Sequence, residues 1–110
     1  MRRADGSVVC ERCAIADGFL SRLRGLLGRR ELPRGEGMLF RPTSSVHTSF
    51  MRFPIDVVFL DRELAVTKIV ARLKPWRAAA ARRSHIALEL AAGEADRRRL
   101  TVGERLLIDD

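Results

Sequence analysis

From residue 37 onward, apolar residues come in short runs separated by polar or turn-forming breaks, the spacing of successive β-strands. GMLFR (37–41) is the first such run. SVHTSFMRF (45–53) alternates, with Val46, Thr48, Phe50 and Arg52 on one face and His47, Ser49, Met51 and Phe53 on the other. Pro54 breaks that ladder. IDVVFLD (55–61) has the look of a buried strand. DREL then reads as a hairpin turn, and LAVTKIVARL (64–73) as the strand that pairs back. KPWRAAAARR (74–83) has no clear period and reads as a mobile connection or a helical turn. SHIALEL (84–90) predicts a strand with Ile86, Leu88 and Leu90 inward. AGEADRRRL (92–100) predicts a short surface helix, and TVGERLLIDD a turn and a final strand with Leu106 and Ile108 inward.

The first third of the chain is patterned differently. SVVCERCAIA reads as an extended strand. Asp17 is a good N-cap, and Phe19, Leu20, Leu23, Leu26 and Leu27 follow at helical spacing. Gly28 is a plausible stop, and RRELPRGEG is a loop. Together these elements predict a mainly β chain. It is a small antiparallel β-sandwich or open barrel of about six or seven short strands with one or two short helices, paired sequentially. The 110 residues are expected to form a single domain, with residues 1–7 a loose N-terminal tail.

Charge narrows the function classes only a little. The net charge is +7, and all of the 21 Lys and Arg except Lys68 and Lys74 are Arg. These cations are spread along the chain and the aromatic residues do not track them, which points to a solvated basic surface and makes nucleic-acid binding the weaker reading. No apolar run approaches a membrane span, and MRRADGSVVCERC shows no signal-peptide core. The expected location is therefore cytoplasmic, with Cys10 and Cys13 reduced. C-x-x-C invites a zinc or redox reading. Along a strand, however, residues three apart point to opposite faces, no second C-x-x-C exists, and His47 and His85 do not form a ligand pair. Cys10 and Cys13 are thus weak metal candidates, and no cofactor is expected.

Several blocks occur together in a fixed order: GLLGRRELPRGEGMLF, SSVHTSFMRFPIDVVFLD, LKPW and LELAAGEADRRRLTVGERL. In this order and spacing, from about residue 8 to 108, the chain resembles the domain of unknown function 192 family of bacteria and archaea. The resemblance implies a small, mostly β, sandwich-like fold. It brings no catalytic residues, because the family name records no established activity. Some members carry an export signal.

The stretch 44–61 places His47, Arg52 and Asp56 in apolar company. One reading is a polar network that satisfies itself, with Asp56 paired to Arg52 or Arg24. The other is a shallow pocket with Arg24, His47, Arg52 and Asp56 as its polar floor and Met51, Phe53 and Trp76 as walls, suited to a carboxylate or phosphate. Trp76, between Lys74 and Arg77, also suits a partner-binding anchor, or a lid over the end of the sheet. The favoured function is a small accessory or binding protein that holds an anionic ligand or a protein partner on a β-scaffold. The alternatives are a small hydrolase using His47 and Asp56 and a nucleic-acid binder.

Overall fold

Ile, Val, Phe and Leu fill Ile55–Leu60 apart from Asp56, and all six residues of that strand are buried. A strand buried on both faces needs a layer above and a layer below it, and the rest of the fold supplies them. The computed structural model describes residues 1–3, 6–17, 32–49 and 51–108. Arg24, Phe50 and the helix expected after Asp17 lie outside the described residues. The described strands are β1 (Arg2–Arg3), β2 (Arg12–Asp17), β3 (Glu36–Arg41), β4 (Ser45–His47), β5 (Ile55–Leu60), β6 (Val66–Leu73), β7 (Ala78–Ala80), β8 (Ile86–Ala91) and β9 (Leu106–Leu107). One short helix, α1 (Glu94–Arg97), follows β8.

The chain is mainly β, as the pattern of short apolar runs predicts, and its main sheet is open. Five strands form it in the order β2-β3-β8-β5-β6, while β1-β9 and β4-β7 form two small pairs. Sequential antiparallel pairing holds for β5 with β6 but not throughout. β8 lies between β3 and β5, antiparallel to both, and β2 runs parallel to β3. A parallel neighbour needs a connection of a dozen or more residues, and the stretch between Asp17 and Glu36 is long enough to provide it.

Alternation along the strands builds two cores. Leu39, Val58, Leu60, Leu88 and Leu90 face one side, against Val9, Cys10, Ala95, Leu100 and Leu106. Met38, Phe40, Ile55, Val57, Phe59 and Ala87 face the other, against Leu32, Met51 and Ala81, with Val46, Phe53 and Ala79 packed alongside. The β4-β7 pair therefore roofs one face, and the β1-β9 pair and α1 cover the other. Phe59 is fully buried, so truncation to Ala there costs about 3–5 kcal/mol.

Three local expectations change. The run 45–53 is a strand only as far as His47, because Thr48 turns inward to bond the segment 74–77. KPWRAAAARR contains strand β7, paired with β4 through Ser45–Ala80, Val46–Ala79 and His47–Ala78. Alanine is a good helix former, but pairing with β4 overrides that propensity. At the N-terminus, where the sequence suggests a loose tail, Arg2 and Arg3 pair with Leu107 and Leu106, and Met1 is buried.

The cysteines change as well. Strand β2 begins only at Arg12, and the backbone bends at Glu11. That bend removes the strand alternation that would have separated the two thiols. The Cα atoms of Cys10 and Cys13 lie 6.0 Å apart, so the two side chains are neighbours rather than on opposite faces of a strand.

Candidate functional site

Thr48 organises the surface around Trp76. It is fully buried, which a hydroxyl tolerates only when hydrogen-bonded. Its Oγ1 donates to the Lys74 carbonyl at 2.6 Å and accepts from the Arg77 N–H at 2.8 Å. Its own N–H donates to the Arg77 carbonyl at 2.8 Å, and its carbonyl accepts from the Trp76 N–H at 3.0 Å. One residue thus fixes both ends of the turn 74–77. Trp76 sits in that turn at φ 62°, in the left-handed region where a bulky residue is an outlier. It is 59% exposed.

The neighbouring side chains are cationic and exposed. Lys74 and Arg77 flank Trp76 and both reach solvent. Arg77 Nη1 also donates to the Trp76 carbonyl at 3.3 Å, which holds its stem beside the turn. His47 is exposed and lies opposite Ala78 in the β4-β7 pair, one residue beyond Arg77. Arg52 is exposed in the bend that follows Met51. The lobe therefore offers one large aromatic face with Lys74, Arg77, His47 and Arg52 on its elements, an arrangement suited to carboxylate and to cation–π contacts.

The other residues expected at this site lie elsewhere. Met51 is buried and Phe53 half-buried, both in the core beneath the lobe. They support the surface rather than line a pocket. Asp56 is fully buried, and β-alternation turns it toward the face opposite Ile55 and Val57. Its Oδ1 accepts from the Arg72 N–H at 2.8 Å, and its Oδ2 from the N–H groups of Gly93 and Ala95 at 3.0 and 2.8 Å. Those three backbone donors occupy the carboxylate, so the geometry assembles neither an Arg52–Asp56 pair nor a His47–Asp56 dyad. Arg24 lies outside the described residues.

Two features escaped the sequence reading. Thr48 stood out only as a hydroxyl beside His47, since its partners are about 26 to 29 positions away. Glu89 showed itself as an acid within the apolar strand β8. It pairs across the sheet with Met38 and Val57 and is 5% exposed. Burial pushes its carboxyl up to about 8, so at neutral pH it is held largely protonated in the layer beneath the lobe. A second acid, Glu94, behaves oppositely. Hydrogen bonds from Arg97 and Arg98 hold it below the usual carboxylate range, against the opposing effect of burial. Arg98 Nη1 also donates to the Val8 carbonyl, which ties the N-terminal segment to α1.

The profile of the DUF192 family, described as uncharacterised, matches residues 2–108. A UPF0127 protein of Pyrococcus horikoshii is 38% identical over 68 residues, which span 57% of this chain and 56% of that protein. A UPF0127 protein of Pyrococcus furiosus is 40% identical over 67 residues, 56% of this chain and 55% of that one. The match thus spans about half the length of these archaeal relatives. Among solved structures, a protein of unknown function from Novosphingobium aromaticivorans superposes with a TM-score of 0.79 at 24% identity, over 87% of this chain and 74% of that one. A Sinorhizobium meliloti protein gives the same score and identity, over 86% and 79%. At that identity the likeness is one of fold.

Proposed function

The chain belongs to the DUF192 family, matched over residues 2–108, and from that premise we propose that it is a small binding module that holds an acidic protein segment against the Trp76 lobe. One observation carries this reading: a Trp that is 59% exposed is clamped by a buried Thr48 between two exposed cations, Lys74 and Arg77. A rigid aromatic presented at the surface contributes binding area with little loss of conformational freedom. The net charge of +7 favours an anionic partner and speeds encounter with one. A small carboxylate or phosphate ligand shares this chemistry. The hydrolase alternative loses its acid–base pair, because the carboxylate of Asp56 is occupied by backbone N–H groups. The proposal keeps the cytoplasmic location, which cell fractionation checks.

Trp76 is the sole tryptophan, so its fluorescence reports on the site directly. Titration with a peptide rich in Asp and Glu should give a saturable change that Lys74→Glu with Arg77→Glu abolishes. Citrate or inorganic phosphate giving the change while the peptide does not would assign the site to a small anion. No saturable response to any of them would overturn the reading. Binding of an oligonucleotide that survives physiological salt would instead favour the nucleic-acid alternative.

A further inference from the structure

β6 is the end strand of the main sheet and pairs there with β5 alone. At its start the outer side is covered. The Val66 N–H donates to the Glu104 carbonyl, and the Val66 carbonyl accepts from the Gly103 N–H, both at 2.8 Å. Beyond Val66, no backbone hydrogen bond joins the outer side of residues 67–71 to another element among the described residues. Arg72, at φ 51° with its N–H on Asp56 Oδ1, ends the regular ladder. An open ladder of this kind is a template for a further strand. Its side chains are apolar on both faces. Ile69 packs on the core of Val58 and Leu88, and Val70 on the core of Val57 and Phe59; both are only half-buried, leaving apolar surface for a neighbouring strand to cover.

We infer that the acidic segment assigned to the Trp76 lobe binds as an added β-strand on the free edge of β6, over residues 67–71. The inference rests on that reading of the lobe and names how the partner is held. β6 runs through Leu73 straight into the turn 74–77, so the edge leads toward Trp76. About five residues of the partner, spanning roughly 17 Å, pair along it. Main-chain hydrogen bonds hold that segment whatever its sequence, and the flanking side chains select among sequences. Lys68 is exposed, and its Nζ donates to the Ala80 carbonyl at 2.9 Å, which leaves its other N–H donors for a carboxylate. Lys74 is exposed beyond the far end of the edge, and its ammonium is unpaired among the described residues. Arg72 is paired with Asp96 at 3.3 Å, so Lys68 and Lys74 are the cations left to flank the added strand. Apolar residues alternating with Asp or Glu suit Ile69 and Val70 between these lysines. The same lysines, with a net charge of +7 on each chain, deter a second copy from pairing at this edge.

The probe is a short blocked peptide in which Glu alternates with Val. Its comparison is the same peptide N-methylated at every amide, which keeps the side chains and donates no ladder bonds. Amide exchange is followed residue by residue by NMR, alongside Trp76 fluorescence. Saturating peptide should slow the outward-facing amides of 67–71 at least about tenfold. N-methylation should weaken its binding at least about tenfold, and a peptide with Lys in place of Glu should bind no better than the N-methylated one. A saturable fluorescence change without slowed exchange over 67–71, or equal affinity of either comparison peptide, would overturn the inference and leave the Trp76 reading standing. Slowed exchange over 67–71 with no fluorescence change would uphold the edge and overturn the lobe reading. No saturable response in exchange or fluorescence would overturn both. Sedimentation of the free protein as a dimer with 67–71 already protected would hand the edge to a second copy and overturn the inference.

Discussion

Asp56 Oδ2 accepts the Ala95 N–H at 2.8 Å, joining the start of β5 to the first turn of α1 across the sheet face. The same carboxylate holds Arg72 and Gly93 by their backbone N–H groups. Gly93 itself sits at φ 93°, a conformation that glycine adopts without strain. Removing this acceptor leaves three amide donors without a partner. Asp56→Ala is therefore expected to destabilise by about 3–5 kcal/mol and Asp56→Asn by about 2 kcal/mol, read from urea midpoints. Peptide binding at Trp76 should be unchanged in any variant that remains folded, which separates the structural role from a role in the site.

Thr48→Val keeps the volume of the side chain and removes its hydroxyl, leaving the Lys74 carbonyl and the Arg77 N–H without their partner. The expected cost is about 1–3 kcal/mol. The effect should be local: faster amide exchange at Trp76 and Arg77, lower fluorescence anisotropy, and weaker peptide binding. Slowed binding without any change in exchange would contradict this role.

Glu89 gives the fold a pH dependence. With its carboxyl raised from 4.5 to about 8, the folded state holds a proton that the unfolded state releases. Below about pH 4.5 both states are protonated and no penalty exists. As pH rises toward 8 the penalty grows, to the order of 4–5 kcal/mol, and above 8 it levels off. Thermal melts should therefore show a stability loss between pH 5 and 8 that Glu89→Gln flattens.

Glu94 has the opposite sign. Its carboxylate accepts from Arg97 Nε and Arg98 Nε, both at 2.8 Å, and its folded value is lowered. The stability it contributes is present above the usual carboxylate range and is lost as pH falls through the lowered folded value. Glu94→Gln is expected to cost about 3 kcal/mol at pH 7, with the difference from wild type shrinking in acid.

How much of this was legible beforehand depends on the range of the interactions. β5, β6 and β8 declare themselves through their local apolar runs, and the inward leucines of β8 lie where their spacing puts them. The parallel placement of β2 and the insertion of β8 do not, because strand order is decided by which edges meet after the chain has turned. His47, Arg52 and Asp56 looked like one cluster because they are near in sequence. Thr48 breaks the strand between them, and the alternation of β5 sends Asp56 to the other face. β7 was unreadable because three alanines carry no β pattern of their own; β4 supplies it. The cysteines misled because one bend at Glu11 cancels the alternation on which their separation rested.

Strand β8 is the middle of the main sheet and the last of its five strands in chain order. Until residues 86–91 emerge, β3 and β5 have no neighbour in common, and each presents an open ladder of N–H and C=O groups next to apolar side chains. Such a half-built sheet pairs readily with other chains. Synthesis of this protein therefore passes through a short interval of vulnerability that closes only when β8 slots between its two partners.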